Sequence, residues 1–206
     1  MMDNNQGYKN RALASLEGKW SNGIIATIIY LLLSGFLGSG ISMSFQPMGE
    51  EFGMGAQGVW ALLCLPLEWG ATIFFLNLIR KGNIAYERLF DGYKDFIRIF
   101  LAEFLVTLCV AIGLLLLIVP GIIALVGLAQ TEYILKDDKE ISCSDAMKKS
   151  WEMMKGHKME LFWLILSFIG WLILSVLSLG FGFIFFLPYF YSTLAHYYED
   201  LKAENA

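Results

Sequence analysis

Charge is scarce in this chain: Asp, Glu, Lys and Arg make up 17% of its 206 residues, where a soluble domain carries about 25%. Cysteine is as thin, at three residues. Cys64 and Cys109 fall in apolar stretches and Cys143 in a polar one, without CxxC spacing. Neither a disulfide framework nor a cysteine metal site is expected from that pattern. Two histidines offer little for zinc, whose sites draw on several ligands. Walker, HExxH and nucleophile-elbow patterns are missing, so the catalytic classes they carry are not indicated. Strictly alternating aromatic strands are missing too, which argues against an outer-membrane barrel. The formal charge of −4 is modest and says less than where the positive residues fall; nucleic acid is not an expected partner.

What the chain has is apolar length. Apolar residues reach 57% and mean hydropathy is +0.58. Runs of about 18 residues or more recur, the length a bilayer demands of a helix. The expected fold is an all-α membrane protein, a bundle of six transmembrane helices with amphipathic cytoplasmic connecting helices, forming one domain over 1–206. The expected spans are Gly23–Ser42, Val59–Ile79, Ile99–Val119, Gly121–Leu135, Leu161–Leu177 and Gly182–Tyr198. The polar first twenty residues and the absence of a clear cleavage site favour an uncleaved first span. "SFQPMGEEFGMGAQG" reads as an exposed loop between the first two spans.

The run from Ile99 to Leu135 holds 37 residues, about 55 Å as one helix. The hydrocarbon core is only about 30 Å thick, so "LLLLIVPGIIALVGLA" is read as two helices turning at Pro120-Gly121. Charge placement agrees. With six spans, all 15 Lys and Arg residues fall on the side of both termini, and the opposite side keeps Glu50 and Glu51. The positive-inside rule makes the cation-rich side cytoplasmic.

Two charged stretches are patterned as surface helices. In "RKGNIAYERLFDGYKDFIR", Leu89, Tyr93, Phe96, Ile97 and Phe100 recur at helical spacing. In "KDDKEISCSDAMKKSWEMMKGHK", a Ser142-x-x-Asp145 capping pattern precedes a face of Met147, Trp151 and Met154, and Gly156 reads as the stop.

Together, "RALASLEGKW", "LPLEWGATIFFLNLIRKG", "LFDGYKDF", "VPGIIA", "YILKDDKEISCSDAMKKSWEMMKGHKMELFWLILSFIGW" and "LPYFYSTLAHYY" resemble a family of bacterial integral membrane proteins named only as domain of unknown function 975. The resemblance covers nearly the whole chain, with "MKGHK…LF…LSFIGW" its most specific block. It implies a six-span protein of the bacterial cytoplasmic membrane, more distantly similar to the membrane domain attached to some glycerophosphodiester phosphodiesterases. It brings no established activity and no catalytic residues, and this chain has no soluble phosphodiesterase domain from which to inherit one.

Two candidate sites remain. Glu68, in "CLPLEWGAT", lies at the bilayer midplane if its span is straight, where a charge costs about 2.5–3.5 kcal/mol and marks ion or substrate paths. If the helix instead starts at Pro66, Glu68 sits at its positive end near the outer interface. Lys148, Lys149, Lys155, His157 and Lys158 form the second candidate, contacts for lipid headgroups or a partner, set against ordinary positive-inside anchoring. His196 with Glu199 and Asp200 reads as a polar helix end, and "SGFLGSG" as close helix packing. The function expected is non-enzymatic binding of lipid or a partner protein through the cytoplasmic-side helices. A small transporter with a polar path near Glu68 is the alternative. Membrane lipids, a protein partner or a second copy of the chain are the expected partners; no cofactor and no metal are. A single-cysteine or tag reporter at Gly121 is expected to label from outside the cell, and labelling from the cytoplasm sinks the hairpin.

Overall fold

The apolar runs become helices, and each pair of helices returns to one polar end. The computed structural model describes residues 3–205, all helix, turn and connector, with no strand among them. Five helical stretches are long and apolar enough to cross a membrane: Trp20–Ser44, Glu50–Ile79, Phe96–Leu116, Ile118–Asp137 and Lys158–Leu177. The expected sixth, 182–198, does not meet that standard. It is the first part of α11 (Phe183–Glu204), which carries Pro188 inside. Ser192 and Thr193 lower its hydropathy, but both are buried in the protein, so they need not face lipid.

The polar N-terminal segment forms α1 (Asn5–Leu16), its cap supplied by the Asn4 side chain, which accepts from the Gly7 N–H. Gly18, at φ +72°, lets the chain turn into α2 (Trp20–Leu31). A π-turn over Leu32–Phe36 follows, closed by the Leu37 N–H on the Leu32 carbonyl. The indole N–H of Trp60 donates to the neighbouring Leu33 carbonyl at 3.0 Å. Beyond it, α3 (Leu37–Phe45) reaches the distal end.

The expected loop after this span is largely helix. A 3-10 turn over Gln46–Met48 and Gly49 lead at once into α4 (Glu50–Ile79). Glu50 and Glu51 fall in its first turn, where acids favour the dipole, and Gly53 lets α4 approach the Ser42 carbonyl. Nor does α4 break at Pro66: the proline sits inside a continuous 30-residue helix. Its C-terminal half is the centre of the molecule, with Leu67, Ile73, Phe74, Phe75, Leu76 and Leu78 buried.

The hairpin over "LLLLIVPGIIALVGLA" is present, with its turn earlier than expected. α5 (Phe96–Leu116) ends, Leu117 is extended at φ −161°, and α6 (Ile118–Leu128) begins. Pro120 therefore lies in the first turn of α6, where its missing N–H costs nothing. Gly121 is a packing residue: a Cβ on Gly113 would stand 2.8 Å from the Gly121 Cα, so the two backbones touch. A break at Ala129-Gln130 separates α6 from α7 (Thr131–Asp137).

The Ser142 cap forms as read, its hydroxyl accepting from the Asp145 N–H at 3.2 Å and opening α8 (Cys143–Met153). The buried face of α8 is Ala146, Ser150 and Met153; of the expected face, Met154 beyond the helix end is buried, Met147 is half-buried and Trp151 is exposed but packs on Gly127. Ser150 decides this, because its hydroxyl donates to the Gly127 carbonyl at 2.9 Å inside the bundle. Gly156, at φ +90°, stops the helix. α9 (Lys158–Leu166) and α10 (Ile169–Leu177) follow. Lys9 of α1 donates to the Ser167 carbonyl between them at 2.9 Å.

A network at the polar end ties the feet of these helices together. Arg80, just after α4, donates to Asp137 at 2.7 and 2.9 Å and to Glu199 of α11 at 2.7 Å. Lys202 and the Tyr198 hydroxyl also donate to Asp137. Nearby, Arg11 of α1 pairs with Asp200 at 2.6 Å, and Ser15 meets His196 at 2.8 Å. The N-terminal helix and the end of α11 therefore lie on one side.

Gly70 and Gly92 admit the connector after α4, since a Cβ on either would collide with the Leu89 or the Pro66 carbonyl. Gly70→Ala or Gly92→Ala is expected to cost about 1–3 kcal/mol through overpacking. Gly55→Ala, with open space around it, is expected to leave thermal stability in detergent unchanged or raised.

Candidate functional site

The connector between α4 and α5 places most of the polar chemistry. Tyr86–Tyr93 forms a 3-10 helix running back along α4, with Leu89 fully buried and Gly92 against the Pro66 carbonyl. The Tyr93 hydroxyl donates to the Leu63 carbonyl at 2.8 Å. The stretch bearing Arg88, Asp91 and Lys94 is thus laid beside residues 63–70 of α4. Pro66 and Glu68 consequently lie beside a charged connector. From Tyr93, a ladder of stacked rings through Phe96, Phe100 and Phe104 climbs α5 with centroids 5.4–6.2 Å apart.

Where the connector meets the start of α5 and the end of α7, a cleft of about 150 Å³ opens. Arg88, Lys94, Arg98, Lys136 and Lys139 line it, against Asp91 and Asp95, over a floor of Trp69, Ile99 and Leu135. Asp91 accepts from Lys94 at 2.7 Å and from Arg88 at 3.0 Å. Burial pushes the Asp91 carboxyl up, but these two hydrogen bonds outweigh it and hold the group below the usual carboxylate range. Arg98 donates to the Asp138 carbonyl at 2.7 Å and the Ile141 carbonyl at 3.0 Å, fixing the loop that forms one wall. The 21-residue helix α5 starts at the cleft without a side-chain cap, so its positive end adds to the field.

The lysines singled out from sequence do not converge in this way. Lys148 pairs with Asp145 at 3.5 Å, His157 with Glu160 at 3.0 Å, and Lys158 lies 3.1 Å from the centre of the Trp151 ring. Lys149 opens onto a separate hollow with Glu152, Asp137 and Lys202, and Lys155 is exposed.

Glu68 is exposed on the side of the bundle, and it is not alone. Glu103 of α5 and Glu132 of α7 lie within electrostatic reach of it and of each other. Glu103 is only 7% exposed. Both were legible: Glu103 falls inside the expected span Ile99–Val119 and Glu132 inside Gly121–Leu135. An acid inside an apolar run is the signal that singled out Glu68, and it applies equally to them. Among the described residues, no group of three or more His, Cys, Asp or Glu is arranged to hold a metal ion.

The geometry thus concentrates charge at one end of an apolar bundle. Family comparison speaks to the second half of the chain. Residues 110–205 match the family described as protein of unknown function (DUF975). The resemblance read from the blocks above is shown over that segment, which runs from the tip of α5 to the end of α11. The chain is accordingly a bacterial multi-pass membrane protein. Neither the curated proteins nor the solved structures gave a match. Lys136 and Lys139 lie inside the matched segment, whereas Arg88, Lys94, Arg98 and Glu68 precede it.

Because the Asp91 carboxyl is depressed, its contribution to stability is fully present above its unfolded value, about 3.9. It is lost as pH falls through the lower folded value. Thermal melts between pH 7 and pH 3 are expected to show Asp91→Asn less stable than the wild type at neutral pH, with the gap closing toward acid. A gap that stays constant contradicts the pairing.

Proposed function

We propose that this is a non-enzymatic protein of the bacterial cytoplasmic membrane that binds anionic lipid headgroups, or an acidic surface of a partner protein, at its cation-bearing end. The observation that carries this reading is the cleft, where five cations meet two carboxylates beside an apolar bundle. Each cation near an anionic bilayer surface contributes about 1 kcal/mol. We take that end as cytoplasmic, supported by the one-sided placement of Lys and Arg.

The same reading includes six crossings. Contact between α1 and the end of α11 supports an even number, and α11 supplies the sixth. Its stretch from Phe183 to Tyr198 is about 24 Å long, and its buried polar residues are shielded from lipid by the bundle.

A second reading, a polar path for transport, is favoured by one observation: Glu68 is joined by Glu103 and Glu132 from two other helices. Acids on three neighbouring helices of an apolar bundle are the kind of residue that marks proton or ion paths.

One preparation separates the readings. Purified protein is expected to bind dioctanoyl phosphatidylglycerol several-fold more tightly than dioctanoyl phosphatidylcholine, with the preference fading as salt shortens the Debye length. Equal affinities sink the binding reading. A proton flux in reconstituted vesicles that Glu103→Gln abolishes puts the transport reading in its place.

A further inference from the structure

Among the cations around the cleft, Arg88 and Arg98 are already committed, and Lys94 only in part, one of its three N–H donors going to Asp91. Arg88 and Lys94 share Asp91, and Arg98 spends its donors on the carbonyls of Asp138 and Ile141. Lys136 and Lys139 stand differently: among the described residues neither has an ion pair or a hydrogen bond. The Lys136 ammonium is held 6.0 Å from the Trp69 ring, over the cleft floor. Two unpaired ammonium groups therefore face a third, Lys94, across a hollow whose walls are fixed by the Asp91 and Arg98 contacts. The Asp95 side chain, likewise without an ion pair or hydrogen bond among the described residues, opposes an anion and keeps the attraction local.

Resting on the binding reading above, we propose that this cleft is a one-phosphate site, in which Lys136, Lys139 and Lys94 hold the oxygens of a single phosphomonoester or phosphodiester group. Size supports one compact anion: about 150 Å³ is well below the roughly 300–1,000 Å³ of pockets that take drug-sized ligands. Three ammonium groups supply point charges and rotatable donors suited to phosphate oxygens. Position adds to this. Ile97, one residue from Arg98, is 80% exposed, and Tyr93 at the end of the connector starts the aromatic ladder up α5. The cleft thus lies at the boundary between charged connector and apolar surface, where headgroup phosphates reside.

The test uses the full chain in detergent, with dioctanoyl phosphatidylglycerol, dioctanoyl phosphatidic acid and glycerol 3-phosphate as probes. Lys136→Gln/Lys139→Gln is expected to weaken lipid binding about thirtyfold, with the melting temperature unchanged. Lys136→Arg/Lys139→Arg, which keeps both charges, is expected to retain binding, as is the control Lys148→Gln/Lys149→Gln. Competition by glycerol 3-phosphate supports a site for a free phosphoester. Lipid binding that depends on the two lysines but resists that competitor supports a lipid headgroup as the source. If the cleft pair changes nothing, or the control pair loses as much, the one-phosphate site is overturned while general anionic binding stands. A wild type without anionic preference overturns both.

Discussion

The contact on which the rest of the structure depends is the grip of Arg80 on Asp137 and Glu199. These residues stand at the ends of three elements far apart in sequence: the exit of α4, the end of α7 and the last turns of α11. Lys202 and Tyr198 close the network around Asp137. Hydrogen bonds to Asp137, with Glu199 adding to them, raise the Arg80 pKa and outweigh burial, so the guanidinium stays charged throughout the physiological range. Exposed ion pairs contribute little singly, but a bidentate arginine in a network is geometrically exacting. Here the exactness is topological. Each excursion of the chain between these points leaves the polar end and returns to it.

That network also explains why hydrophobicity alone misjudges α11. Its second half is polar because it is packed against α1 and the feet of α4 and α7. Tyr197 and Tyr198 are buried in that packing, one beside Tyr8 and the other stacked on Tyr133 at 4.7 Å. A hydropathy window sees serine, threonine and histidine and counts a poor span. The helix instead has an apolar start and a remainder packed inside the protein.

Much of the fold was legible in the amino-acid sequence wherever length and charge placement act together. The turn between α5 and α6 follows from 37 residues in a thin slab, and the Ser142 cap and the Gly156 stop from local backbone chemistry. Features that depend on a distant partner were harder. Nothing local announces that Trp60 would seek the Leu33 carbonyl, or that Ser150 would enter the bundle beside Ala146 and Met153. The candidate site divides the same way. Lys148–Lys158 drew attention as a dense local run, yet folding turns those side chains toward separate neighbours. The cleft gathers Lys94, Lys136 and Lys139 across more than forty residues, a convergence no window along the chain contains. Glu103 and Glu132 differ from both, since a check of each span for acids would have found them.

The π-turn at Leu32–Phe36 has an evolutionary corollary. Such a turn holds one residue more than the regular helix, and one residue is about 100° of rotation. A single deletion there would restore an ordinary helix and swing everything distal to it. Gly38 would leave the Trp60 ring it now rests against, and the indole would lose its carbonyl. The distal third of the first span is therefore keyed to the second by an insertion. Length variation in this segment is tolerable only in company with a change at Trp60.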